Sequence, residues 1–447
     1  MSSLIDSLGD LLSRISKQIS EVSEDPITIL IRKSFEKYYK VKVLEKTFPS
    51  RIGFVDAGIY PLDLSIAALM YIQLGALIRE PTGELSLISN IEGLKQYPPI
   101  ERVILTVTKR RKMINGSMKY FFEVEIRCPE KKSLLFESPK DAEKISKEIT
   151  GILETLGLTV EIKKPRLYRK LSKYIESLLE LAYGLKILKE AKLDKVVIDG
   201  TLVRWLRPKK ARESYKIDGI DILSILTRLN KSNVIRECLE GVYGISKTTA
   251  FPTVSRAMDL FGKFLKEGKY ELYTVIDDKE LNMLKMMFEE AESKDKIPRE
   301  VIESIVKMFS LKVFPQNNVW VLRFPLTMDG NHVMVLDVYS EKPTIYYVKE
   351  KSKRVLRTFP ENVLKVNSKV EEGILKIFNI KSPLTGRPPM GLMEVDEHVR
   401  ISSEHRKSII AYMEVAALKS AGNNLSMLKT LLQIISGSMR LRYGYGE

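Results

Sequence analysis

The sequence predicts a mixed α/β fold, with parallel and antiparallel strands in one sheet and helices packed around it. Three observations carry that prediction. Continuous β-branched and apolar runs occur at residues 52–56, 103–107 and 196–199, the pattern of strands covered on both faces. Long stretches at 139–156 and 167–191 repeat apolar residues at helical spacing. Two of the apolar runs end in an aspartate followed by small residues, Val55-Asp56-Ala57-Gly58 and Val197-Ile198-Asp199-Gly200. A carboxylate at a strand end is held rigidly and faces the crevice where ligands of α/β sheets collect. Gly200 lets the backbone turn sharply behind it.

Taken in order, residues 3–46 read as mostly helical. Leu4, Leu8, Leu11, Leu12 and Ile15 recur at helix spacing, and a second helix, 27–39, follows Pro26. The strand at 52–56 comes next. Residues 64–78 are apolar nearly throughout and fit either a strand or a helix. Residues 102–108 and 120–127 read as two strands of a hairpin, with Asn115-Gly116 as the turn signal. The basic run Lys109-Arg110-Arg111-Lys112 forms its loop. It reads as a solvated tip whose sign suits a DNA backbone. The helix at 167–191 carries Glu176 and Glu180, four apart and so on one face. Beyond Asp199, Trp205, Arg207, Lys209 and Lys210 put an aromatic among basic residues, a pattern that stacks on single strands as readily as it packs into a core. Residues 218–239 read as a helix and 241–246 as a strand reaching Lys247. Residues 258–268 and 278–308 are peripheral helices. Residues 320–324 and 333–338 pair as strands, and Asp337 reads as structural. Residues 425–441 form a last amphipathic helix suited to a dimer or partner contact.

The composition narrows the function class. Of 447 residues, 73 are Lys or Arg and 57 Asp or Glu, a formal charge of +16. That excess favours a polyanionic partner, nucleic acid first and an acidic membrane surface second. A Lys- and Glu-rich thermophile surface would give a similar composition. The two cysteines, Cys128 and Cys238, form no CxxC pair, and the three histidines, His332, His398 and His405, form no HxxxH or HExxH pair. Thiolate or histidine zinc centres are therefore unsupported. No apolar run reaches membrane-spanning length, and the first residues do not read as a signal peptide. The expectation is a soluble cytoplasmic protein with no membrane contact.

The element order is strand with Asp56, further strands and a hairpin, helix with Glu176 and Glu180, then strand with Asp199. This order resembles the RNase H-like core, where acidic residues sit on the first strand, the first core helix and the fourth strand. Converging carboxylates of that kind hold divalent cations that clamp a phosphodiester, and hard cations take oxygen ligands. Three pieces resemble the NurA family, archaeal and bacterial nucleases that process DNA ends with the HerA hexameric ATPase. They are Val55-Asp56-Ala57-Gly58, Val197-Ile198-Asp199-Gly200-Thr201-Leu202 and Gly241-Val242-Tyr243-Gly244-Ile245-Ser246-Lys247-Thr248. A C-terminal histidine completes the family pattern, and His405 in Ser402-Ser403-Glu404-His405-Arg406 matches it best. The first piece departs from the family, with Ala57 where the family has Gly and Gly58 where it has Ser.

The resemblance implies an RNase H-like mixed-sheet core with flanking helices and an inserted β-hairpin region. It divides the chain into an N-terminal helical region (1–48), a nuclease domain (49–410) and a C-terminal helix (411–447). It implies Asp56, Glu180 and Asp199 as ligands of Mn²⁺ or Mg²⁺, with Glu176 in reserve for Glu180. Lys247 would meet the scissile phosphate and His405 would ligate a metal or move a proton. It further implies 5′→3′ exonuclease and single-strand endonuclease activity, a homodimer, a HerA-type ATPase as partner, and a role in DNA end resection and double-strand break repair. A second reading is a non-catalytic DNA-binding subunit that regulates the ATPase. A third is another RNase H-like phosphotransferase, a transposase or resolvase.

Overall fold

The computed structural model describes residues 9–14, 17, 40–43, 50–64, 67–114, 116–155, 165–204, 219–247, 272–275, 310–314, 317–327, 333–342, 345–350, 353–358, 372, 377, 388–422 and 424–443. The first strands are β1 (Lys40–Val43), β2 (Ile52–Leu64), β3 (Ala67–Arg79), β4 (Leu85–Leu87), β5 (Ile100–Ile114) and β6 (Ser117–Arg127). Helices α1 (Pro139–Thr155) and α2 (Pro165–Glu190), strand β7 (Lys195–Asp199), helices α3 (Ile220–Thr227) and α4 (Lys231–Gly241) and strand β8 (Val242–Ser246) follow. Then come β9 (Leu272–Val275), β10 (Ser310–Phe314), β11 (Val319–Thr327), β12 (Val333–Ser340), β13 (Ile345–Glu350) and β14 (Lys353–Thr358). Helices α5 (Leu392–Val399), α6 (Ser403–Ala421) and α7 (Leu425–Tyr443) end the chain. The predicted features at Leu4, Leu8, 27–39, Trp205, 258–268 and 278–308 lie outside the described residues.

The chain folds into two compact units. The first is built from Ser50–Asp199, Arg204–Val242 and Gly391–Glu447. Its strands run in the order β7-β2-β3-β5-β6, with β4 along β3. β2 and β7 are parallel, and the other pairs are antiparallel, so the sheet is mixed as predicted. The ambiguous run at 64–78 is strand β3. Its near-continuous burial follows from its place between β2 and β5, with side chains covered on both faces. α2 packs on one face, where Gly184 meets Val55, Val196 and Ile198 so closely that a Cβ would lie 2.7 Å from Ile198 Cδ1. α5 packs on the other face, with Gly391 against the Phe54 ring and Val399 against Gly58 and Gly75.

Three elements differ from expectation. Residues 40–43, within the stretch read as mostly helical, form strand β1, paired with β9. The basic run 109–112 is not a loop. It lies within β5, paired to β6 as far as Ile114↔Ser117, so the turn is two residues long, and Gly116 has the positive φ of +73° that such a turn needs. The single helix expected at 218–239 is two. Arg228 takes a left-handed conformation (φ 58°), and the Asn230 side chain accepts from the Asn233 amide at 2.8 Å, capping the start of α4.

The outer edge of β6 is closed by side chains. Ser146 and Thr150, one turn apart on α1, accept from the Ile126 and Val124 amides at 2.8 and 3.0 Å. The Thr150 hydroxyl also donates to the Val124 carbonyl at 3.2 Å, and the Ser146 hydroxyl donates to the Ala142 carbonyl of its own helix at 2.7 Å. The helix thereby satisfies an edge that would otherwise present open ladder groups.

The second unit comprises Met1–Pro49, Gly200–Val203 and Tyr243–Met390. Its strands run β1-β9-β11-β12-β8, with β10 on β11, in antiparallel pairs. β13 and β14 form a separate hairpin. Asp337 on β12 is fully buried and accepts from Thr201 Oγ1 at 2.6 Å and the Leu202 amide at 3.0 Å, while Arg323 pairs with it at 3.0 Å. Its role is structural: it fastens residues 201 and 202.

Candidate metal centre

Parallel pairing of β2 with β7 runs from Ile52↔Lys195 to Val55↔Ile198. The next residue on each strand is an aspartate, so Asp56 and Asp199 stand side by side where the ladder stops. β2 itself continues to Leu64, so Asp56 lies inside a long strand rather than at its end. Side chains alternate along a strand. Val55 and Ile198 face α2, so Asp56 and Asp199 face α5. Gly200, with φ +112°, takes the chain away immediately after the carboxylate.

α5 completes the group. Carboxylate oxygens of Asp56, Asp199 and Asp396 lie within 4.8 Å of one another, and Asp56 is the most enclosed of the three. The close approach of α5 depends on two glycines. A Cβ on Gly58 would lie 1.8 Å from the Val399 carbonyl oxygen, and one on Gly75 would lie 2.5 Å from Val399 Cγ1. Gly75 pairs directly with Asp56 across β2 and β3. Gly58, where the resembled family has a serine, is therefore the residue that lets Asp396 reach the other two aspartates.

Glu176 and Glu180 come from α2, on the opposite face. Both are buried. Glu180 pairs with Arg204 at 2.7 Å, with 5% and 8% of the two side chains exposed. Burial raises the pKa of both glutamates and the Arg204 charge opposes the rise. Asp56 is pushed up to about 8, first by burial, then by the charges of Glu180, Asp199 and Asp396, although the Ala57 amide donates to its Oδ1 at 2.7 Å. Carboxylates packed this closely cannot all ionise without a compensating cation. Three converging oxygens with no thiolate or imidazole suit a hard divalent ion such as Mg²⁺ or Mn²⁺. Asp396 has no counterpart among the residues that sequence reasoning singled out.

His405 opens α6, three residues after the Ser402 cap. Its Nδ1 lies 3.4 Å from Gln73 Nε2 and its Nε2 3.5 Å from Tyr71 Oη. Gln73 is two residues from Gly75 along β3, so His405 belongs to the row of side chains next to the aspartates. Among the described residues it is not part of the three-aspartate group. Lys247 lies in the second unit, half-buried just after β8.

No family model matches the sequence, and no curated protein matches it. Solved structures do align over most of its length. The NurA nuclease from Sulfolobus solfataricus is 16% identical, with 93% of this chain and 98% of that chain covered and a TM-score of 0.40. NurA bound to dAMP and manganese is 12% identical over 94% of this chain and 98% of that one, with a TM-score of 0.36. A further NurA structure is 12% identical over 95% and 99%, with a TM-score of 0.35. Among the described residues, no helix is long and apolar enough to cross a membrane.

Proposed function

We propose that this chain is a metal-dependent deoxyribonuclease that hydrolyses phosphodiester bonds at the Asp56–Asp199–Asp396 centre. The observation that carries the proposal is the convergence of these three carboxylates from β2, β7 and α5 in a chain of +16 charge. A bound Mg²⁺ or Mn²⁺ supplies Lewis-acid polarisation of a phosphodiester oxygen and stabilises the charge that develops there.

The chain's own residues do the rest. Asp56 is oriented by the Ala57 amide and Asp199 by the rigid end of β7. Asp396 is delivered by a helix locked onto glycines. Arg204 keeps a permanent positive charge on Glu180, which limits the excess negative charge beside the substrate. His405 is assigned proton transfer, a role supported by its two polar partners and its row on β3. On the motif resemblance, the reading extends to Mn²⁺ as the preferred ion, 5′→3′ exonuclease and single-strand endonuclease activity, and DNA end resection. It extends also to a homodimer acting with a HerA-type ATPase.

The test is degradation of 5′- and 3′-labelled single- and double-stranded DNA. Wild type is compared with Asp56→Ala and Asp199→Ala in Mn²⁺, Mg²⁺ or EDTA, alone and with a cognate HerA-type ATPase. Metal-dependent cleavage lost in both variants supports the proposal. Absence of cleavage in every condition, with DNA or ATPase binding retained, makes the chain a non-catalytic subunit.

A further inference from the structure

The ribbon formed by β5 and β6 outruns the sheet that carries it. β3 pairs with β5 from Gly75↔Ile100 to Ala68↔Val107 and begins at Ala67. Among the described residues β5 and β6 then continue as a two-stranded ladder, through Lys109↔Phe122, Arg110↔Phe121, Arg111↔Tyr120 and Lys112↔Lys119, with Phe121 and Phe122 still buried at its base. Residues 109–120 include five Lys or Arg and no acidic residue. Lys109, Arg110, Arg111, Lys112 and Lys119 are all exposed. Lys112 is drawn back to Glu154 at 2.8 Å. Lys109 and Arg111 flank the Tyr120 ring, at 5.5 and 5.9 Å from its centroid. Exposed Met113 and Met118 sit at the tip.

We propose that this overhanging ribbon is a nucleic-acid arm that grips duplex DNA about one helical turn from the three-aspartate centre. The proposal rests on the nuclease reading for the meaning of that distance. A two-stranded ribbon is one of the shapes that the major groove of B-DNA admits. Its basic residues reach phosphates on the groove walls, and Tyr120 between two cations offers a flat ring to sugar or base. Like charge on the same surface of a second copy opposes self-association through the arm.

The register gives the spacing. Gly75 pairs with both Asp56 and Ile100, so Ile100 lies in the row of the aspartates. Lys109 and Lys112 follow Ile100 by nine and twelve residues along one strand. At about 3.3 Å per residue that is roughly 30–40 Å. At about 3.4 Å per base pair, this corresponds to roughly 9–12 base pairs.

The experiment uses the full chain in EDTA, where the metal-dependent reaction is off. Binding of labelled duplexes of about 8 and about 24 base pairs is measured against NaCl concentration. The shorter spans roughly 27 Å at about 3.4 Å per pair, too little to join centre and arm. Wild type is compared with Lys109→Glu/Arg110→Glu/Arg111→Glu and with the charge-neutral Lys109→Gln/Arg110→Gln/Arg111→Gln, whose side chains leave the ladder intact. For the long duplex, both variants are expected to bind at least about tenfold more weakly at low salt. The slope of log K against log salt is expected to fall by roughly 2 to 3, at about 0.9 per lost phosphate contact. For the short duplex neither changes.

Unchanged affinity and slope on the long duplex would overturn the proposal. So would an equal loss on both lengths. A shift in molar mass by light scattering with DNA binding kept would also overturn it, making the arm a contact between copies. Cleavage in Mn²⁺ separates this proposal from the nuclease reading. If wild type cleaves while the slope is unmoved, the arm fails alone. If the slope falls while wild type never cleaves, the nuclease reading fails alone.

Discussion

Asp56 is the residue on which folding and chemistry pull in opposite directions. Its carboxyl is enclosed among other carboxylates and its pKa rises from 3.8 to about 8. A raised acid pKa means that the folded state holds a proton the unfolded state has released. The contribution of Asp56 to the stability of the metal-free protein is therefore fullest below 3.8 and declines as pH rises towards 8. At about 1.4 kcal/mol per pKa unit the total is on the order of 5 kcal/mol. Urea unfolding in EDTA should show that decline in wild type and a much shallower one in Asp56→Asn. Equal pH slopes in the two proteins would refute this account of Asp56. Added Mn²⁺ should restore wild-type stability at about pH 8 and leave Asp56→Asn nearly unmoved, because binding to the folded state alone stabilises it.

Gly58 makes a second residue-scale case. Replacing it with serine would restore the hydroxyl of the resembled family pattern. Here, however, the new Cβ meets the Val399 carbonyl oxygen. Gly58→Ser is expected to cost about 1–3 kcal/mol or more, as overpacking does, and to weaken Mn²⁺ binding by displacing Asp396. Thermal melts and metal titrations check both. A variant as stable as wild type with unchanged metal affinity would mean that α5 sits further from β2.

At the scale of elements, the ladder-edge hydroxyls of α1 give a local prediction. Ser146→Ala with Thr150→Val leaves the Val124 and Ile126 amides without their acceptors. A loss of about 1–3 kcal/mol for each buried amide left unsatisfied should appear in denaturant unfolding. Hydrogen exchange at those two amides should rise with it. Elements were legible in the sequence where burial and period agree. β7, α2 and the β11–β12 pair follow their apolar patterns. The run that became β3 was ambiguous because a strand buried on both faces has no alternation to read. The α3–α4 break was hidden because Arg228 carries no turn signal of its own. α5 was missed for another reason. It is eight residues long and rich in acids, so no long apolar period marks it, and its place is set by Gly58 and Gly75, which receive it.

For the whole molecule, the centre is assembled from segments far apart in the chain. Asp56 and Asp199 come from the first segment of their unit and Asp396 from the third. The two strand-borne aspartates could be read from sequence because each ends an apolar run. Their neighbourhood could not, since it depends on the parallel register of β2 and β7. Glu180 could be singled out only through its place in the resembled family pattern, and its burial and its pairing with Arg204 required the fold.

Whether Asp396 joins Asp56 and Asp199 around one divalent ion is read by titrating Mn²⁺ and following its paramagnetic resonance. Wild type should bind the ion, and Asp56→Asn, Asp199→Asn and Asp396→Asn should each lose at least about tenfold in affinity, more than about 1.4 kcal/mol. An Asp396→Asn protein that binds Mn²⁺ like wild type, while Asp56→Asn does not, would contradict the three-aspartate centre.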